Sequence, residues 1–135
     1  LVACLPEIAV STRDARRVVP ETAQMAEVVE TVGNAATLAV GMCRDDPELV
    51  GRGMDDPLVT PARAELITGY ETVREAAVDA GATGVTVSGA GPSVLAVCRA
   101  GDQRAVGSAM LTAFDDHEVD ARVYQTQVSD GATIL

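Results

Sequence analysis

The run GVTVSGAGPSVLAVC, from Gly84 to Cys98, leaves this chain few folds to choose from. Two apolar, β-branched stretches flank a turn of Ser88, Gly89, Ala90, Gly91, Pro92 and Ser93. The glycines remove side chains and permit positive φ, while the proline fixes the exit of the chain. The pattern predicts a strand over 84–87, a turn over 88–92 and a second strand over 93–98. Such a turn can bring backbone N–H groups up against an anion, although a tight hairpin without a ligand calls for the same residue types. A dinucleotide fingerprint is excluded because its glycines must open a helix, and here Val94-Leu95-Ala96-Val97 continues as strand. No Gly-Lys-Ser/Thr follows the glycines, so the turn is not a Walker loop either.

The rest of the chain supplies the other layers of the fold. Val2 to Leu5 and Ile8 to Val10 read as a strand interrupted at Pro6. Ser11-Thr12 supplies a cap for a short helix over 12–19 that Pro20 stops. A second helix is expected over 21–43, with Met25, Val28, Val29, Val32, Ala36, Leu38 and Ala39 as its apolar stripe. The proline-punctuated stretch RDDPELVGRGMDDPLVTPAR reads as loop with a short helix at 48–51. Helix is expected again over 65–80, ending at Gly81, and over 102–114, with a strand at 119–125 and a tail turning at Asp130-Gly131. This order implies an α+β fold in which an antiparallel sheet carries helices packed on one face, related to the ferredoxin-like arrangement.

The length of 135 residues suits one globular domain. The chain opens on Leu1 and an apolar run, which reads as an interior strand of something longer. That run is too short to span a membrane and lacks the preceding positive charge of a secretory signal, so a cytoplasmic protein is expected. A net charge of -10 disfavours nucleic acid and anionic membrane surfaces as partners. All ten basic residues are arginine, and acids pair up at Asp45-Asp46, Asp55-Asp56 and Asp115-Asp116. Dense carboxylates are compatible with high salt, where screening shortens their repulsion to about 3 Å near 1 M, and the composition resembles that of salt-loving archaea. Cys4, Cys43 and Cys98 read as buried free thiols. His117, in DDHEVD, reads as part of a solvated acidic turn, because consecutive loop positions do not converge on one ion. No metal site is expected.

The context of the turn carries a family resemblance. AAVDAGATGVTV followed by SGAGPSVLAV is similar to the carboxy-terminal region of the GHMP small-molecule kinases, most closely the homoserine kinases. STRDARRVVP resembles that family's Ser-Thr-x-x-Ala-Arg segment, and DPLVTPARAELITGY its stretch of Asp, Glu-Pro-x-Arg and Ile-Pro-Gly-Phe/Tyr, with Thr60 replacing the glutamate and Thr68 the second proline.

The resemblance implies that Arg16 and Arg63 bind the homoserine carboxylate, a task that suits the planar guanidinium fork. It implies that Ser88, Gly89, Ala90, Gly91, Pro92 and Ser93 support the phosphate-binding loop. By their types alone both arginines would also serve as solvated surface residues. Asp55 and Asp56 match the family's acidic position before the second arginine motif and are expected to be structural or close to a helix. The implied activity is ATP-dependent phosphorylation of L-homoserine to O-phospho-L-homoserine in threonine biosynthesis, with a homodimer possible. ATP and Mg2+ would be held mainly by an amino-terminal nucleotide-binding domain, and the Pro-x-x-x-Gly-Leu-Gly-Ser-Ser-Ala loop of that domain does not occur in this sequence. No catalytic residue is expected within it. A mevalonate-type kinase domain and a non-catalytic amino-acid-binding domain are the alternatives.

Overall fold

Alternation along the strands decides the layering. In the computed structural model, which describes residues 1–128, β1 (Val2–Pro6), β2 (Ala82–Val87), β3 (Val94–Cys98) and β4 (Ala121–Gln125) form one sheet. Its order is β2-β3-β1-β4, with every neighbouring pair antiparallel. The register sets Val2 opposite Ala96, Cys4 opposite Val94, and Val94 opposite Val87, so these side chains share one face. Each is fully buried or nearly so.

Six helices complete the fold: α1 (Thr12–Arg17), α2 (Met25–Arg44), α3 (Pro47–Gly53), α4 (Thr60–Ala64), α5 (Tyr70–Asp79) and α6 (Gln103–Asp115). α5 and α6 cover the buried face through Val73, Ala77, Val106, Met110 and Phe114. Strand, helix, strand, strand, helix, strand in this order is the ferredoxin-like arrangement, as expected. Removing the Cys4 thiol from water pushes its pKa up to about 11, as suits a neutral core residue.

The opposite face carries Thr86, Leu95 and Val97, and there the fold adds a layer to the expected helices on one face. α3 lies directly on β2. A Cβ at Gly51 would stand 2.1 Å from the Thr83 carbonyl oxygen, and one at Gly84 would stand 2.5 Å from the Gly51 Cα. Only glycine at both positions lets the two backbones approach so closely. The Thr83 hydroxyl donates to the Pro47 carbonyl at 2.7 Å and fixes the start of α3. α2 rides on α3 and stands further out.

Several local expectations change. The second half of the first strand, residues 8–10, is not strand, because the chain leaves the sheet after Pro6. α2 begins at Met25 rather than near residue 21, where the Gln24 N–H donates to the Glu27 carboxylate at 2.8 Å and so caps the helix. The first half of its expected stripe does not pack, Met25, Val29 and Val32 being 76%, 64% and 65% exposed, while Leu38 further along lies against Gly53 of α3. Helix was expected from residue 65, yet α5 starts at Tyr70 after Gly69 at φ +81, and a separate helix, α4, precedes it. Cys43, on the outer side of α2, is exposed. His117 is exposed as expected, but its Nε2 also lies 2.9 Å from the Thr72 hydroxyl, with the ring against Gly69. The turn expected at Asp130-Gly131 lies outside the described residues.

Candidate functional site

α1 starts where the Ser11 hydroxyl accepts the Asp14 N–H at 3.1 Å, which sets the direction of the helix. Its Ala15 is fully buried, so the carbonyl of that residue is anchored, while the neighbouring Arg16 side chain is exposed. α4 is the helix that carries Arg63. The capping position just before it is Val59, which has no side chain able to cap. Asp56 supplies the acceptor instead: one carboxylate oxygen takes the N–H groups of Leu58 and Val59 at 3.0 and 3.1 Å, and the other takes that of Thr60 at 3.1 Å.

The glycine turn closes on itself through two backbone bonds. The Ser88 N–H donates to the Ser93 carbonyl at 2.7 Å, and the Gly91 N–H donates to the Ser88 carbonyl at 3.0 Å. Gly89 and Gly91 have φ of +58° and +78°, the region that glycine enters without strain, and the Gly91-Pro92 peptide is cis. A Cβ at Gly91 would meet Val87 Cγ1 at 3.2 Å, whereas one at Gly89 would have nothing within 4 Å. The side of Gly89 on which a Cβ would stand is therefore open.

Arg63 joins these parts. Its Nη1 donates to the Gly89 carbonyl at 2.7 Å, and its Nε lies 3.5 Å from the Ala15 carbonyl, at the long limit of a hydrogen bond. One guanidinium therefore touches α1 and the turn from its place on α4. Arg63 and the turn residues predicted from the sequence are brought together directly. Arg16 is not: among the described residues its side chain makes no hydrogen bond or ion pair, and the residue is linked to the group through its neighbour Ala15. Reasoning from the sequence had Asp56 as structural or close to a helix, and its capping of α4 agrees, but α4 itself was missed; the Asp-Pro followed four residues later by Thr-Pro was the available signal.

Two clefts adjoin α4. One of about 430 Å³ is lined by Asp55, Thr60, Tyr70, Arg74 and Thr83 among others, and one of about 470 Å³ by Val18, Gln24, Leu58 and Glu65 among others. Arg63 and the turn line neither of these clefts. In the first cleft the Tyr70 hydroxyl is buried without a hydrogen-bond partner. Its pKa is pushed up to about 12, first by burial and then by the nearby Glu71 and Asp55 carboxylates. Among the described residues no group of three or more His, Cys, Asp or Glu side chains is placed to hold a metal ion, and no helix is long and apolar enough to cross a membrane.

The sequence matches the model of a family described as GHMP kinases C terminal over residues 38–116. It is 70% identical over its whole length to a homoserine kinase of Halorubrum lacusprofundi and 70% identical to one of Haloquadratum walsbyi, covering 46% of each. The chain thus spans somewhat under half the length of these relatives. A crystal structure of homoserine kinase from Cytophaga hutchinsonii superposes with a TM-score of 0.86 at 37% identity, over 91% of this chain and 39% of the other.

Proposed function

The chain belongs to the GHMP kinase family through its C-terminal domain, and from that premise we propose that it is the C-terminal domain of an ATP-dependent homoserine kinase, which transfers the γ-phosphoryl group of ATP to the hydroxyl of L-homoserine. The observation that carries this reading is the identity of 70% to homoserine kinases along the entire chain. The nucleotide-binding domain, with the ATP and Mg2+ sites, lies in the part of the longer protein outside these residues. A cytoplasmic location belongs to the same reading, as does a salt-loving archaeal source, which the lysine-free acidic composition supports.

Phosphoryl transfer asks a protein mainly for positioning and charge neutralisation. On this reading Arg63 and Arg16 hold the substrate carboxylate, and the turn over 88–93 braces the phosphate-binding loop of the other domain. The bond from Arg63 to Gly89 supports that division of labour, because it ties the carboxylate site to the phosphate side in a fixed relation. Holding the carboxylate in a fixed relation to the phosphate-binding loop orients the hydroxyl for attack.

The test uses the full-length enzyme. Arg63→Ala and Arg16→Ala should each raise the KM for homoserine about tenfold or more, the order expected for a lost charge-assisted hydrogen bond, with much less effect on the KM for ATP. An unchanged homoserine KM in both variants would remove the carboxylate assignment.

A further inference from the structure

Arg63 sits on a helix of five residues, too short to hold its own direction by backbone bonds alone. What fixes α4 is a set of contacts from outside it. The Asp56 carboxylate takes three successive N–H groups, of Leu58, Val59 and Thr60, and also lies 3.3 Å from the Thr60 hydroxyl. That hydroxyl lies 3.0 Å from the Thr86 hydroxyl on β2. When Thr60 donates to Asp56, Thr86 donates to Thr60, and the chain of bonds has one consistent direction. The segment just before is tied to α2, because the Asn34 side-chain amide donates to the Asp55 carbonyl at 3.0 Å. One turn beyond Thr60, Arg63 reaches Gly89, three residues after Thr86 along the same strand and turn. The helix is thus fastened to β2 at its start and to the β2–β3 turn through its arginine.

We propose that Asp56 is a positioning residue for substrate binding, which acts through Thr60 and the start of α4 to hold the Arg63 guanidinium against the Gly89 carbonyl. The inference rests on the reading of Arg63 as a carboxylate ligand. All four hydrogen bonds of Asp56 go to Leu58, Val59 and Thr60, so its carboxylate is committed to its own segment. Without the carboxylate, three N–H groups and one hydroxyl lose their acceptor in a half-buried place, and α4 is free to turn or fray. Arginine placement suffers first, because a guanidinium displaced by about 1 Å no longer meets a carboxylate with both of its N–H groups.

Kinetics of the full-length enzyme test this with Asp56→Ala, Arg63→Ala and the double variant. Asp56→Ala should raise the KM for homoserine about tenfold while the KM for ATP stays within about twofold. In the Arg63→Ala background the same change should add almost nothing, since the residue acts through the arginine. A full additional loss there would overturn the proposal, as would an equal rise in both KM values, which a merely structural role would give. If Arg63→Ala leaves the homoserine KM unchanged, the carboxylate reading fails and the proposal with it. If Arg63→Ala raises it and Asp56→Ala does not, only the positioning role fails. Thr60→Val against Thr60→Ser gives a second route should Asp56→Ala not fold. The valine, which keeps the shape and loses the hydroxyl, should raise the homoserine KM, and the serine should restore it. Equal KM values for the two would overturn the link from Thr60.

Discussion

The two faces of the sheet are finished to different degrees. On one, Val2, Cys4, Val94 and Ala96 are fully buried beneath Val73, Ala77, Val106, Met110 and Phe114, all with no more than trace exposure. On the other, an apolar hollow of about 440 Å³ remains open between α2, α3 and the sheet, walled by Ala35, Leu38, Met42, Val50, Leu95 and Val97 among others. Beside it Leu5 and Tyr124 are 38% and 53% exposed, and α2 presents Met25, Val29 and Val32 to water. The first face is an ordinary core, closed by elements of this chain. The second is closed in part, by the close approach of α3 to β2 and the burial of Val50 and Val97, and leaves apolar surface of the kind that marks interfaces. Packing is therefore complete on one side of the sheet and unfinished on the other.

Truncating a large side chain on each face would break that contrast most directly. Phe114→Ala should cost about 3–5 kcal/mol in urea unfolding, while Val32→Ala on α2 should stay within about 0.5 kcal/mol. Comparable losses at both positions would mean that α2 is packed after all. Gly51→Ala sharpens the account of the second face, where the new Cβ meets the Thr83 carbonyl and α3 has to lift off β2. Overpacking of that kind should cost about 1–3 kcal/mol, without the cavity term that Phe114→Ala carries.

The cysteines give the gentlest test. Near pH 8, iodoacetamide should modify Cys43 readily and leave Cys4 untouched, because Cys43 is exposed and the Cys4 thiol is buried with its pKa raised to about 11. The sign of the linked stability follows from that shift. In the unfolded chain Cys4 ionises near 9.0, so its contribution is intact below that pH and is lost as the pH rises through about 11. Equal labelling of the two residues would show the closed face to be open in solution.

The legible parts of the sequence were those in which local pattern and tertiary demand agree. The strand, turn and strand over 84–98 could be read because β-branched runs, paired glycines and a proline all point the same way. α6 was legible for the same kind of reason. α4 was not, because its capping group, Asp56, stands four residues ahead of Thr60 in a stretch whose prolines suggest loop. The break before α5 was hidden by an apolar spacing that runs straight through it: Ile67, Tyr70, Val73 and Ala77 are all buried although Gly69 between them turns the chain. The stripe on α2 misled in the opposite sense, since periodicity shows that a face is apolar and not what covers it. Arg16 and Arg63 could be singled out only by motif. The contact that sets them apart, from Arg63 to a carbonyl 26 residues away, has no local signature.

If Arg63 holds a carboxylate as proposed, that contact changes the entropy of binding. A free arginine side chain surrenders about 1.5–2 kcal/mol of rotamer freedom when it is immobilised, and an exposed one such as Arg16 would do so at the moment of binding. Arg63 has already surrendered most of it on folding. Of its five N–H groups, two face the Ala15 and Gly89 carbonyls and three remain for a ligand, on a fork whose plane is already set. A lysine here would keep the charge and lose the arrangement, since one ammonium on a flexible stem cannot hold two carbonyls and still offer a fixed edge to a third partner.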